Sequence, residues 1–302
     1  MSVRAESRRL TGPLPGGSSE GTTVAVEPLM VGRMHAPRGY FEAERKLNAL
    51  RMIGMGLSRS SWLAVPIPAF LIHHPTAGPF LVDTGLHPSV SSKPEENLGR
   101  LMTNLGRPEL EPGQDLPAQL RARGVDPKSI RVVVMTHLHL DHSSGMAEFP
   151  GAMFIVTEEE WQAATTESRP LSNGYRHAHY DYAFDYRTLS YSGERISSYS
   201  TFGRTFDLFG DGSVRLAFTP GHSAGHQSVI CRLRDRDLVI AGDVIYTLDQ
   251  LKGASEPAKP YDRHTWRRSM RELQLFAQQY PQAVIVPGHD PFTWDTLQKR
   301  YE

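Results

Sequence analysis

The chain has 302 residues, 39% of them hydrophobic and 22% charged, an ordinary globular composition that can bury a sizeable core. Lys+Arg and Asp+Glu each number 33, so the formal net charge is zero, which argues against a large electrostatic footprint for nucleic acid or an anionic membrane. A single cysteine, Cys231, excludes an internal disulfide framework and a cysteine-rich zinc module, and no run approaches the roughly 20 apolar residues of a membrane span.

Arg4, Arg8 and Arg9 have no apolar stretch behind them, so the N-terminus does not read as a signal peptide and a cytoplasmic protein is expected. Gly12, Pro13, Pro15, Gly16 and Gly17 cannot build a core, so residues 1–21 are expected to be a disordered tail. One domain is expected over residues 22–302. Val24, Val26, Leu29 and Val31 suggest its first strand. Residues 39–60 read as helix and loop. Residues 69–74 and 80–82 read as a hairpin turning at Pro75–Gly78.

Residues 116–123 form a short helix stopped by Gly124. Residues 130–136 are almost all apolar, as in a strand buried on both faces. Another strand at 153–156 runs into a helix capped by Thr157, with Glu158, Glu159 and Glu160 in its first turn. Residues 169–209 are aromatic and irregular. Strands resume at 214–218, 227–233 and 238–241. An amphipathic helix spans 262–279, with Trp266, Met270, Leu273 and Phe276 on one stripe, and a last strand covers 284–286. Early hairpins followed by alternating units suggest two sheets covered by helices in a single α/β domain.

Directly after the strand at 130–136 comes His137-Leu138-His139-Leu140-Asp141-His142. Three imidazoles and a carboxylate at a strand end make a compact set of nitrogen and oxygen ligands, suited to Zn²⁺, Fe²⁺, Mn²⁺ or Co²⁺. Leu138 and Leu140 can point into the core while the alternate residues face a metal. Thr219-Pro220-Gly221-His222, Ala241-Gly242-Asp243 and Pro287-Gly288-His289 each follow a strand and each carry one more ligand-competent side chain. Gly221, Gly242 and Gly288 allow tight turns and close backbone approach. Cys231 matches no ligand position and reads as a small buried hydrophobe.

Over residues 22–291 the pattern resembles the metallo-β-lactamase superfamily. The resemblance implies an αββα sandwich with a dinuclear site on one edge. It implies that His137, His139 and His222 hold one divalent ion, that Asp141, His142 and His289 hold a second, and that Asp243 bridges them. Zinc is the expected metal. Asp83, in Leu81-Val82-Asp83-Thr84-Gly85, matches the superfamily's first motif and is expected to orient ligands rather than bind metal. Tyr246, three residues after Asp243, stands where N-acyl-homoserine lactone lactonases carry a tyrosine that hydrogen-bonds the lactone carbonyl; its competing reading is a packing aromatic.

The expected activity is therefore hydrolytic opening of N-acyl-homoserine lactones by a metal-bridging hydroxide, with Asp141 and Tyr246 catalytic. Another lactone, ester or thioester hydrolase is the competing activity, and a non-catalytic metal-binding scaffold ranks below both. Met52, Ile53 and Trp62 lie in an apolar segment that is either an acyl-chain channel, plain core or a homodimer contact. The aromatic stretch around Tyr182 either roofs the site or packs helices. The expected partner is a small molecule with an acyl chain, not nucleic acid or membrane.

Overall fold

Alternation of apolar side chains explains the layers. In β3 (Trp62–His74), Phe70 and Ile72 face one core while Ala69 and Leu71 face another. The same division recurs at Val134 against Val133 in β5 (Val132–Val134), and at Val229 and Cys231 against Ile230 in β11 (Gln227–Arg232). Sheets buried on both faces must be sandwiched, and this one is. The computed structural model describes residues 4–41, 58, 62–167, 170–253, 255–257 and 259–302; Met52 and Ile53 lie outside them.

One sheet contains seven strands in the order β1-β7-β6-β5-β4-β3-β2. Besides β3 and β5 these are β1 (Ser7–Arg9), β2 (Ala25–Pro37), β4 (Gly78–Val82), β6 (Met153–Thr157) and β7 (Asp185–Leu189). The other contains six, in the order β13-β12-β11-β10-β9-β8. They are β8 (Ile196–Tyr199), β9 (Phe202–Asp207), β10 (Val214–Phe218), β11, β12 (Asp237–Gly242) and β13 (Val284–Pro287).

Between the sheets Phe70, Ile72, Val82 and Ile155 meet Leu216, Val229, Leu238 and Ile240. Cys231 is fully buried there, and burial pushes its thiol pKa up, so it is a core hydrophobe. Outside the first sheet pack α2 (Leu116–Ala122), through Leu116 and Leu120, and α4 (Glu158–Thr166), through Trp161. Outside the second sheet packs α5 (Arg263–Gln279), through Trp266, Met270, Leu273 and Phe276. The expected αββα sandwich is thus observed. Among the described residues no helix is long and apolar enough to cross a membrane.

β2 and β3 are longer than the strands read from the sequence, with 13 residues each, and they pair with one another as a hairpin that was not expected. Within β3, β4 pairs only with Phe70 to His74, so the distal half of the hairpin runs on past it. Pro66 and Pro68 lie in that half. A proline offers no N–H to a further neighbour, which suits a stretch at the margin of a sheet.

Residues 4–21 correct the expectation of a disordered tail. β1 adds to the first sheet in parallel with β7, and Leu10 N–H donates to Thr188 O at 2.8 Å. Leu14 is buried in the core between the sheets, and its N–H donates to Leu208 O at 2.7 Å. Ser18 N–H donates to the Asp211 carboxylate at 2.8 Å. A few backbone bonds and one leucine outweigh the glycine- and proline-rich composition. Leu14→Ala is expected to cost about 2–5 kcal/mol in urea unfolding. A loss below about 0.5 kcal/mol, the scale of ordinary surface substitutions, would show that the segment is not part of the core.

Candidate metal centre

The strand ends of both sheets meet at one edge. His137 and His139 follow β5, with α3 (Leu140–Ser143) beginning immediately after them and carrying Asp141 and His142. His222 follows β10, Asp243 follows β12 and His289 follows β13. Their donor atoms fall into three groups, each within 4.8 Å: His137, His139 and His222; His137, His142 and Asp243; Asp141, His142 and His289. All seven ligand residues expected from the sequence are therefore brought together.

Distances inside the cluster are short. His222 Nε2 lies 3.2 Å from His137 Nε2 and 2.9 Å from His139 Nδ1. Asp243 Oδ2 lies 3.3 Å from His222 Nε2 and 3.2 Å from His289 Nε2, while its Oδ1 lies 3.5 Å from His142 Nε2. Asp141 Oδ2 is 3.4 Å from His289 Nε2 and 3.8 Å from His142 Nε2. Asp243 thus stands between the two outer groups, as expected of a bridge. Gly288 makes room for it: a Cβ there would sit 2.3 Å from Asp243 Oδ1.

The surroundings fix which nitrogens face inward. His142 Nδ1 donates to Asp83 Oδ2 at 2.8 Å, and His289 Nδ1 donates to the Pro66 carbonyl at 2.9 Å. His137 Nδ1 faces Thr136 Oγ1 at 3.0 Å, whose own proton goes to Asp83 Oδ2 at 2.7 Å, so His137 is the donor of that pair. Tyr246 Oη lies 3.1 Å from His222 Nδ1. With Nδ1–H tied outward, each Nε2 lone pair points into the cluster. Asp83 also accepts Thr136 N–H at 2.7 Å, and with φ 58° it holds a left-handed conformation that aspartate tolerates. It therefore orients His142 and Thr136 rather than joining the cluster.

Electrostatics point the same way. Burial pulls the pKa of His137 and His222 well below the ordinary imidazole value. Burial acts on His142 and His289 too, but Asp243 and Asp141 outweigh it and raise both. Burial would raise the Asp243 carboxyl, yet His289, His142 and His222 hold it well below the usual range. The cluster draws in protons for want of other positive charge. His142 Nε2 and Asp243 Oδ1 are buried and make no hydrogen bond among the described residues. Converging lone pairs and two orphaned buried atoms fit divalent cations.

Two buried residues hold the frame and were not singled out from the sequence. His226 Nε2 accepts Asp243 N–H at 3.0 Å, and burial lowers its pKa to about 3, so it stays a neutral acceptor. Glu160 contacts two of the loops that carry ligands. His226 was visible as the second histidine of Gly221-His222-Ser223-Ala224-Gly225-His226.

A cavity of about 390 Å³ opens onto the cluster, reaching His139, Asp141, His222, Asp243, Tyr246 and His289. Met34, Trp62, Val65 and Ile67 of the hairpin and Met102 and Leu105 of α1 (Arg100–Gly106) form an apolar wall. Ser172, Asn173, Lys259 and Tyr261 form a polar one. Of the readings open for its segment, Trp62 takes that of a cavity-lining residue. Tyr182 does not: it is 39% exposed and stacks on Phe184 at 5.0 Å, away from the cavity lining. Its neighbours Tyr180 and Tyr186 are core residues packed on Trp161, so this stretch packs a helix. Leu138 enters the core as expected, while Leu140 is buried against the cavity.

The family profile of the metallo-β-lactamase superfamily matches residues 63–289. The chain belongs to the metallo-β-lactamase superfamily. It is 33% identical over 240 residues to the N-acyl homoserine lactonase AttM of Agrobacterium fabrum, covering 79% of this chain and 87% of that protein. It is 23% identical over 242 residues to an N-acyl homoserine lactonase of Bacillus thuringiensis, covering 79% and 86%. A solved N-acyl homoserine lactone hydrolase, with N-hexanoyl-L-homoserine bound at its catalytic metal centre, superposes with a TM-score of 0.73 at 20% identity, covering 92% of this chain and 97% of that one.

Asp243 and Asp141 raise the pKa of His142 and His289, so protons compete with a cation for their Nε2 atoms, and metal affinity is expected to rise from pH 6 to pH 8, measured by Zn²⁺ titration of metal-free protein. An affinity independent of pH would contradict this competition between protons and metal. Asp83→Asn is expected to weaken metal binding about 10–100-fold by unsettling His142. Unchanged affinity in the same titration would remove its orienting role.

Proposed function

We propose that the protein opens the lactone ring of N-acyl-homoserine lactones. The observation that carries this reading is the cavity: its floor is the metal centre, and its hairpin wall is apolar and suited to an acyl chain. The names of the relatives in both sequence and structure agree with it.

Two divalent ions fit the donor set, one held by His137, His139 and His222, the other by Asp141, His142 and His289, with Asp243 between them. Zinc suits such imidazole and carboxylate donors. Bound there, the ions supply Lewis-acid polarisation of the lactone carbonyl and activate water at neutral pH. The side chains supply the rest. The hydroxyl of Tyr246 accepts from His222 Nδ1–H at the edge of the cavity. It donates to the ring carbonyl oxygen as that oxygen gains negative charge. As water adds to the carbonyl carbon and the ring C–O bond breaks, Asp141, at the cavity floor, takes a proton from that water and passes it to the leaving ring oxygen. Trp62 and its apolar neighbours hold the acyl chain and exclude water. The product is an N-acyl-homoserine, and the biological consequence is the silencing of acyl-lactone signals between bacteria.

Acid release in a pH-stat, with N-acyl-homoserine lactones from short to long chains, tests the reading. Metal-loaded protein is expected to release acid at a rate that varies with chain length, and chelator-stripped protein is expected to release none. No acid release with metal bound would remove the lactonase assignment. Tyr246→Phe is expected to lower kcat about 10²-fold with metal content unchanged; unaltered kcat would leave Tyr246 a packing residue.

A further inference from the structure

Glu160 is a fully buried carboxylate in the first turn of α4, and it meets no cation among its hydrogen-bond partners. Its Oε1 accepts the N–H of Leu138, the residue between His137 and His139, at 2.9 Å. Its Oε2 accepts Ser223 Oγ–H at 2.7 Å and Gly225 N–H at 2.9 Å, in the turn that follows His222. The same helix end holds that turn a second time. Thr157 Oγ1 accepts Glu160 N–H at 3.1 Å and donates to Gly225 O at 2.6 Å. The fit leaves no space: a Cβ on Gly225 would lie 2.0 Å from Thr157 Oγ1 and 2.3 Å from Glu160 N.

The two loops come from different sheets. Leu138 follows β5 in the seven-stranded sheet, and residues 222–225 join β10 to β11 in the six-stranded one. His139 and His222 must nevertheless stand 2.9 Å apart. We propose that Glu160 is a positioning residue that locks these two loops together and thereby sets the spacing of the His137, His139 and His222 ligand group. A carboxylate suits the task because it only accepts, and three donors converge on it. A glutamine would turn an NH₂ group toward one of them. His142 and His289 are held from elsewhere, by Asp83 and the Pro66 carbonyl. Loss of Glu160 should therefore weaken one ligand group and spare the other. The assignment rests on the metal centre and not on the choice of substrate, so metal binding tests it without any lactone.

The experiment compares the wild type with Glu160→Gln and Ser223→Ala. Each is stripped with chelator, checked for fold by circular dichroism, and titrated with Co²⁺ by visible absorption. In Glu160→Gln one Co²⁺ equivalent is expected to bind about 10–100-fold more weakly, with an altered d–d spectrum, while the other keeps its affinity. Ser223→Ala, which removes one donor and leaves the carboxylate, is expected to shift the same equivalent by less. Both equivalents unchanged, or both weakened alike, in a folded Glu160→Gln would overturn the assignment. If Glu160→Gln does not fold, Ser223→Ala decides: wild-type affinity and spectrum would overturn it. A wild-type chain that takes up no Co²⁺ would overturn the metal centre as well.

Discussion

The structure depends on lone pairs that point inward. His137, His142, His222 and His289 are each held through Nδ1 by a group outside the cluster, so their Nε2 atoms converge on Asp243 and Asp141. Buried acceptors facing one another are costly unless a cation or a proton comes between them. The raised pKa values of His142 and His289 are that cost expressed in the metal-free protein. A cation bound among these atoms would relieve that cost, so metal should stabilise the folded chain.

The sandwich supplies the partners that hold these rings. Asp83 follows β4, Thr136 lies just past β5, and Pro66 lies in the projecting half of β3. The two sheets are tied at the site itself: Gln227 N–H donates to Thr136 O at 2.9 Å, and the Gln227 side-chain amide donates to Met135 O at 2.8 Å. The hairpin serves twice. Its Pro66 carbonyl orients His289, and its apolar residues wall the cavity, so one element shapes both the centre and the cavity.

The residues of the candidate metal centre were legible because their pattern is local. His137, His139, Asp141 and His142 crowd one loop, and the other ligands each follow a strand whose apolar run is plain in the sequence. The layers were legible for the same reason, except where the strands carry polar residues. β7 reads Asp-Tyr-Arg-Thr-Leu and β8 reads Ile-Ser-Ser-Tyr, too weak a hydrophobic period to stand out. The residues that brace the site were hidden because their meaning lies in distant contacts. Glu160 looks like its neighbours Glu158 and Glu159, three acids favoured by a helix N-terminus, yet it alone of the three is buried against two loops. The N-terminal stretch was misread for a similar reason: composition cannot show that the exposed edge of β7 awaits a partner.

The measurement that bears most directly on the centre is calorimetric titration of chelator-stripped protein with Zn²⁺ in buffers of different ionisation enthalpy. Two equivalents bound per chain, with net proton release at pH 7, are expected if the inward lone pairs of the histidines and the carboxylates of Asp141 and Asp243 form the site. No binding, or binding without proton release, would contradict it.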